Sequence, residues 1–293
     1  MRHLDLTGML PGGAPLVTRF APSPTGYLHL GHVVNALYVW GIARALGARV
    51  ILRIEDHDRI RCRQEYEDAV LEDLDWLGFV PDEGRHPVLR QRDRAHVYET
   101  ALATLATTAH VYRCDCSRRD IGAGPYPGTC RSRAATAGDT SGLRVEMTPG
   151  SEAFDDLLLG RQQQSPAAQC GDLLVLDRDG HWTYQFAVTV DDLTQGVNLV
   201  IRGADLLDST GRQLRLARLL GRTAMPVFAH HPLIVNHRGE KLSKSDGVTG
   251  IRELRRAGMT ADRVLGRAAA LAGLTDREEE LDATAVSRFW DRI

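Results

Sequence analysis

The chain of 293 residues is 43% hydrophobic and 25% charged, which is ordinary globular usage and allows a sizeable core in about two domains. Lys and Arg number 36 against 38 Asp and Glu; the net charge of −2 excludes a globally basic nucleic-acid binder and confines any such surface to a local patch. Met1 to Leu16 has Pro and Gly where a signal peptide needs an apolar run, no stretch reaches the ~20 apolar residues of a membrane span, and the five cysteines, three of them close together, point to a reducing compartment, the cytoplasm, and to a metal site.

Residues 1–14 read as a loose leader. Pro15 to Ala21 is a short strand entering the turn Pro22-Ser23-Pro24-Thr25-Gly26. A helix follows, with Val34, Leu37, Tyr38, Gly41 and Ala45 on one face and Gly47 as its stop. Arg49 to Glu55 is dense in β-branched residues and predicts a buried strand; Glu65 to Leu77 predicts the next helix, closed by Gly78. This alternation implies an α/β fold with a parallel sheet, its first half spanning 15–106. From 107 to 184 the chain turns rich in Gly, Arg, Ser and Thr, with short strands such as Leu173 to Leu176, and reads as an inserted subdomain. The α/β pattern resumes over 185–247, with a strand at Val197 to Ile201, a helix at Leu206 to Leu220 and a strand at Val227 to Val235. Residues 248–293 are helical by pattern.

Two motifs carry the chemistry. His29-Leu30-Gly31-His32 stands at the entry of the first helix, where unpaired N–H groups and a partial positive charge suit phosphate. Gly31 leaves room for a nucleotide, and His29 and His32 donate to phosphate oxygens as charge shifts. Lys241-Leu242-Ser243-Lys244-Ser245, flanked by Gly239 and Gly247, offers Lys241 and Lys244 to a triphosphate and its leaving pyrophosphate. Either motif alone is equally a helix entry with surface histidines or a solvated basic turn. Their pairing, one at the first strand–helix turn and one after the sheet resumes, is not.

Together they resemble the paired signatures of class I aminoacyl-tRNA synthetases. The stretch Arg19-Phe20-Ala21-Pro22-Ser23-Pro24-Thr25-Gly26-Tyr27-Leu28-His29 resembles the opening of glutamyl-tRNA synthetases, and Ile54-Glu55-Asp56-His57-Asp58, Tyr184 and Val200-Ile201-Arg202-Gly203 resemble their later fingerprints. The resemblance implies a Rossmann-like sheet, Mg-ATP as cosubstrate and glutamate as the amino acid. In that reading Arg19 and Tyr184 meet the side-chain carboxylate, Arg202 the α-carboxylate end and Glu55 the ammonium, with Ala21 and Ser23 lining the pocket. The residue types fit independently: guanidinium forks hold carboxylates by two-point contacts, and an acid at the carboxyl end of a parallel strand faces the ligand crevice. The chain departs from the family at Val188 and Leu206, where Asn and Trp are frequent; this wall of the pocket is expected to be less polar.

Cys114-x-Cys116, followed by Tyr126-x-x-x-Cys130, has the spacing of a structural Zn²⁺ site, since zinc takes four sulfur and nitrogen or oxygen donors and the glycine-rich loop offers little core to order it otherwise. The fourth donor is Tyr126, His110 or water. Cys62 and Cys170 are isolated and read as ordinary buried residues. A short branch of the glutamyl-tRNA synthetases, the glutamyl-queuosine tRNA(Asp) synthetases, resembles this chain in the same Cys-x-Cys and Tyr-x-x-x-Cys arrangement. Only 46 residues follow Gly247, too few for a separate anticodon-binding domain. The resemblance implies a monomer acting on tRNA(Asp) that carries queuosine, with Arg131, Arg133, Arg252, Arg255 and Arg256 as candidate phosphate contacts.

Overall fold

The computed structural model describes residues 13–132, 141–234 and 250–291. Its elements in chain order are β1 (Val17–Phe20), α1 (Leu30–Leu46), β2 (Arg49–Ile54), α2 (Gln64–Leu77), β3 (Leu89–Arg90), α3 (Ala95–Thr108), β4 (Val111–Cys114), α4 (Arg118–Ile121), β5 (Gly142–Val145), β6 (Glu152–Asp156), β7 (Gly160–Gln164), α5 (Pro166–Cys170), β8 (Leu173–Leu176), α6 (Tyr184–Thr194), β9 (Leu199–Gly203), α7 (Thr210–Leu219), β10 (Val227–His231), α8 (Ile251–Arg256) and α9 (Ala261–Leu271). The α/β character and parallel pairing expected from the sequence are present: β1, β2 and β3 are parallel neighbours, as are β9 and β10.

The two parallel groups meet between β1 and β9. The Val17 amide donates to the Asn198 side chain and the Asn198 amide to the Val17 carbonyl. Strand connections diverge at this seam, so the carboxyl ends of β1 and β9 flank a crevice, the usual ligand position in open α/β sheets.

α1 is apolar almost all round, with Leu30, Val33, Val34, Leu37, Val39 and Ile42 at or near zero exposure, as suits a helix enclosed on every side. It lies between the sheet and the C-terminal segment, whose Trp290 ring presses on Gly41; a Cβ there would meet ring carbon at 2.0 Å. The helix ends at Gly47, which takes the left-handed conformation at φ 65°.

Two sequence expectations change. The helix predicted over Leu206 to Leu220 begins as a 3₁₀ segment, Ala204–Ser209, before α7. The span 107–184 does not fold wholly apart. β4, β5 and β8 form a separate antiparallel sheet, whereas the β6–β7 hairpin joins the main sheet beside β10. The reason is packing: Phe154 of the hairpin is 2% exposed and meets Phe228 of β10 edge-on at 5.1 Å.

Candidate active site

At the crevice, a cavity of about 330 Å³ is lined by Arg19, Ala21, Glu55, Tyr184 and Arg202, together with Asn35, Ile201, Gly203 and Leu206. Five of the six residues expected at an amino-acid pocket thus share one wall system. Ser23 is not among the lining residues; its hydroxyl donates to the Glu55 carbonyl at 2.8 Å and holds the strand end. Leu206 lines the cavity, whereas Val188 is buried in α6 and is absent from the lining.

Strand alternation builds the ion-pair floor. Arg53 and Glu55 are two residues apart on β2 and its extension, so their side chains leave the same face, and Arg53 Nη2 donates to Glu55 Oε1 at 2.9 Å. Arg53 is fully buried and also reaches Asp192 at 2.9 Å and Asp191 at 3.7 Å, both on α6. Burial works against its charge, but Asp192, Glu55 and Asp191 outweigh it and hold the guanidinium above its ordinary range. Arg19 Nε meets both Asp192 oxygens at 3.2 Å, and its Nη1 donates to the Ile201 carbonyl. Burial pushes the Asp192 carboxyl up, yet Arg19 and Arg53 bring it below the usual carboxylate range.

Arg202 is held differently. It is 3% exposed and lies opposite His230 in the β9–β10 register. Nε donates to His230 Nε2 at 3.0 Å, Nη1 to Gln213 at 2.7 Å and Nη2 to Thr210 at 2.8 Å, so its hydrogen bonds among the described residues all go to neutral side chains. Desolvation lowers its pKa, and burial raises that of Tyr184 across the cavity. Behind the imidazole, Asp156 accepts from His230 Nδ1 at 2.6 Å and from the amides of Leu158 and Leu159 at 2.9 Å.

The sequence reading missed Arg53, Asp191, Asp192, Asp156 and His230. One signal was available: charged residues inside otherwise apolar strand and helix runs, such as Arg53 after Val50-Ile51-Leu52, are buried only when paired.

The histidine turn is the N-terminus of α1. His29 is the capping residue: its Nδ1 accepts from the Gly31 amide at 3.0 Å, and His32 Nδ1 accepts from the His29 amide at 3.1 Å. A neutral ring that accepts at Nδ1 carries its proton on Nε2. A Cβ at Gly31 would sit 2.8 Å from the His29 ring, so a side chain there would have to displace the ring. Gly250 bridges His29, and the Ile251 amide donates to the Leu28 carbonyl, so the chain returns to this turn after residue 249. Lys241 and Lys244 lie outside the described residues, as does Arg133.

The cysteine cluster sits beside the β4–β5–β8 sheet. The Sγ atoms of Cys114, Cys116 and Cys130 lie within 4.8 Å of one another, and Cys116 and Cys130 are 3.6 Å apart. The Tyr126 hydroxyl stands 3.4 Å from Cys114 Sγ and 3.9 Å from Cys116 Sγ, and accepts from the Cys130 amide at 2.9 Å. Burial pushes the Cys130 thiol up, but hydrogen bonds from Tyr126 and the Asp115 backbone outweigh it and bring it down to about 7. His110 faces Glu146 at 3.3 Å and is not in this cluster. Arg144 covers the Tyr126 ring at 3.9 Å and donates to Cys114 Sγ at 3.2 Å. No helix among the described residues is long and apolar enough to cross a membrane.

Comparison with known proteins places these features. Residues 15–123 and 130–284 match the family "tRNA synthetases class I (E and Q), catalytic domain". The chain is 43% identical over 288 residues to a glutamyl-Q tRNA(Asp) synthetase of Symbiobacterium thermophilum, covering 90% of this chain and 88% of the relative. It is 41% identical to one of Nitratidesulfovibrio vulgaris, covering 87% and 86%. Among solved structures it resembles a glutamate tRNA ligase of Elizabethkingia meningosepticum in complex with its amino acid, with a TM-score of 0.79 and 27% identity, covering 94% of this chain but only 64% of that ligase.

Proposed function

Because the chain belongs to the class I tRNA synthetases of the E and Q family, within their glutamyl-Q tRNA(Asp) synthetase branch, we propose that it activates glutamate with ATP and transfers it to queuosine in the anticodon of tRNA(Asp). One observation carries the choice of amino acid: two arginines, an acid and a tyrosine converge on one cavity, and among the described residues no hydrogen bond of Arg202 goes to a carboxylate. Glutamate brings two carboxylates and one ammonium. Arg19 with Tyr184 receives the side-chain carboxylate, Arg202 the α-carboxylate end and Glu55 the ammonium. Glutamine lacks the side-chain charge and offers Arg19 and Tyr184 a neutral amide in its place.

In the first step an oxygen of the glutamate α-carboxylate attacks the α-phosphorus of Mg-ATP, and the bond to pyrophosphate breaks. His29 and His32, at the positive end of α1, together with Lys241 and Lys244, stabilise the charge that moves onto the phosphates. In the second step a hydroxyl of the queuosine cyclopentenediol attacks the activated carbonyl carbon, loses its proton, and AMP leaves. Positioning and electrostatics supply most of the rate.

The cysteine cluster is proposed as a structural zinc site with Cys114, Cys116, Cys130 and Tyr126 as donors. A tetrahedron with Zn–S bonds of about 2.3 Å has sulfur–sulfur edges of about 3.8 Å, close to the 3.6 Å between Cys116 and Cys130. Bound zinc would fix the loop against the small sheet.

The test has two parts. ATP–pyrophosphate exchange should depend on glutamate and not on glutamine. Labelled glutamate should then pass to tRNA from cells that make queuosine and not to tRNA from cells that lack it. Equal labelling of both pools would overturn the acceptor while leaving activation standing.

A further inference from the structure

The way Arg202 is anchored sets it apart from Arg19 and Arg53. Those two lie directly against carboxylates, so their charge is largely met inside the protein. Arg202 also has a carboxylate on its line, Asp156, but an imidazole stands between them. The protonation of that ring follows from geometry. An arginine Nε–H has no lone pair, so the ring nitrogen 3.0 Å away must accept, and His230 Nε2 carries no proton. The single proton therefore sits on Nδ1 and is donated to Asp156 Oδ2 at 2.6 Å. Thr210, whose hydroxyl is 3.2 Å from the same Nε2, accepts from Arg202 Nη2 and has its own hydrogen to give to the ring. Burial pushes His230 below its usual range, which keeps the ring neutral. The ring is stacked on Phe228 at 5.7 Å, and both His230 and Asp156 are fully buried, so the arrangement has little room to rearrange.

We propose that Asp156 and His230 are positioning residues of the amino-acid site: the imidazole, locked as its Nδ1–H tautomer by Asp156, fixes the Arg202 fork without neutralising it, so that the buried positive charge is left for a substrate carboxylate. This rests on the glutamate reading above and adds the device that makes Arg202 selective for an anion. A carboxylate placed directly on Arg202 would hold it equally well and cancel its charge. A neutral spacer holds it and leaves the charge in place.

Two variants separate charge from shape. His230→Gln offers Arg202 a neutral oxygen; His230→Glu offers a charged one of the same size. In exchange assays His230→Gln should raise the glutamate KM by about threefold, and His230→Glu by roughly 100-fold, about 2.7 kcal/mol, with a smaller change in kcat. Equal impairment in the two variants, with matching thermal melts, would overturn the proposal, because variants that fold equally well then differ at Arg202 only in charge, and that charge would have had no effect. A second measurement is independent of activity: ¹⁵N NMR of the wild-type protein at pH 7 should show His230 neutral with its proton on Nδ1, and Asp156→Asn should lose that single tautomer. An imidazolium or an Nε2–H ring would overturn the proposal whatever the chain activates. A wild type that fails to activate glutamate yet keeps the Nδ1–H signature would overturn the glutamate reading while supporting the tautomer lock.

Discussion

The charged crevice and the cysteine cluster organise polar side chains in opposite ways. In the crevice, Arg19, Arg53, Glu55, Asp191 and Asp192 satisfy one another across three elements, and the pocket stands ready-made in a rigid parallel sheet. Around Cys114, Cys116, Cys130 and Tyr126, four soft or weakly polar donors face one another within a small apolar cluster of their own. The first region spends its ion pairs on preorganisation before any ligand arrives. The second leaves its donors facing one another, within reach of a single shared centre.

The largest test of this contrast falls on Arg53. Arg53→Leu removes the ion-pair partner of the buried Glu55 carboxylate and one of the cations facing Asp191 and Asp192, which keep Arg94 and Arg19, and denaturant unfolding should show a loss of about 3–5 kcal/mol. A loss below about 1 kcal/mol would mean that the crevice is not preorganised by this pair network. Next comes Cys130→Ser. Zinc measured by mass spectrometry should fall well below one ion per chain, and stability should drop by about 2–3 kcal/mol. Unchanged zinc content would refute the donor set, and the same variant should leave glutamate-dependent exchange nearly intact if the two regions are independent.

Arg202→Lys keeps the charge but loses the fork to His230, Gln213 and Thr210; the glutamate KM should rise about 10- to 100-fold, with the fold intact by circular dichroism. The smallest effect is on pH. His230 and His231 are both held below the ordinary histidine range, chiefly by burial. The unfolded chain therefore takes up their protons first, and stability should decline as pH falls below about 6.5. Asp156, depressed because the His230 and backbone hydrogen bonds outweigh its burial, adds stability that is present above about pH 4 and is lost on further acidification. Melts between pH 7.5 and 5.5 should show a decline of about 1 kcal/mol or less, shallower in His230→Gln. A curve that is flat in the wild type would remove these histidines from the account.

Local pattern made much of the molecule legible. The helix behind His29, its stop at Gly47, the strand from Arg49 and the helix closed by Gly78 lie where residue periodicity and glycine punctuation put them, because these signals act over a few residues. Arg19, Ala21, Glu55, Tyr184 and Arg202 were legible as a set for another reason: motif neighbours fix them in register along their own strands and helix.

Their companions were not legible. Asp192 is 173 residues from Arg19, and Asp156 is 74 from His230, so only the closure of the sheet brings them together. The same closure drew the β6–β7 hairpin out of the expected insertion and against β10. The sequence by itself determined which groups line the crevice and which elements carry them. The tertiary structure alone decided which of those charges are paired directly with a carboxylate and which, at Arg202, has only neutral hydrogen-bond partners among the described residues, because the worth of a buried charge depends on the partners that distant segments deliver to it.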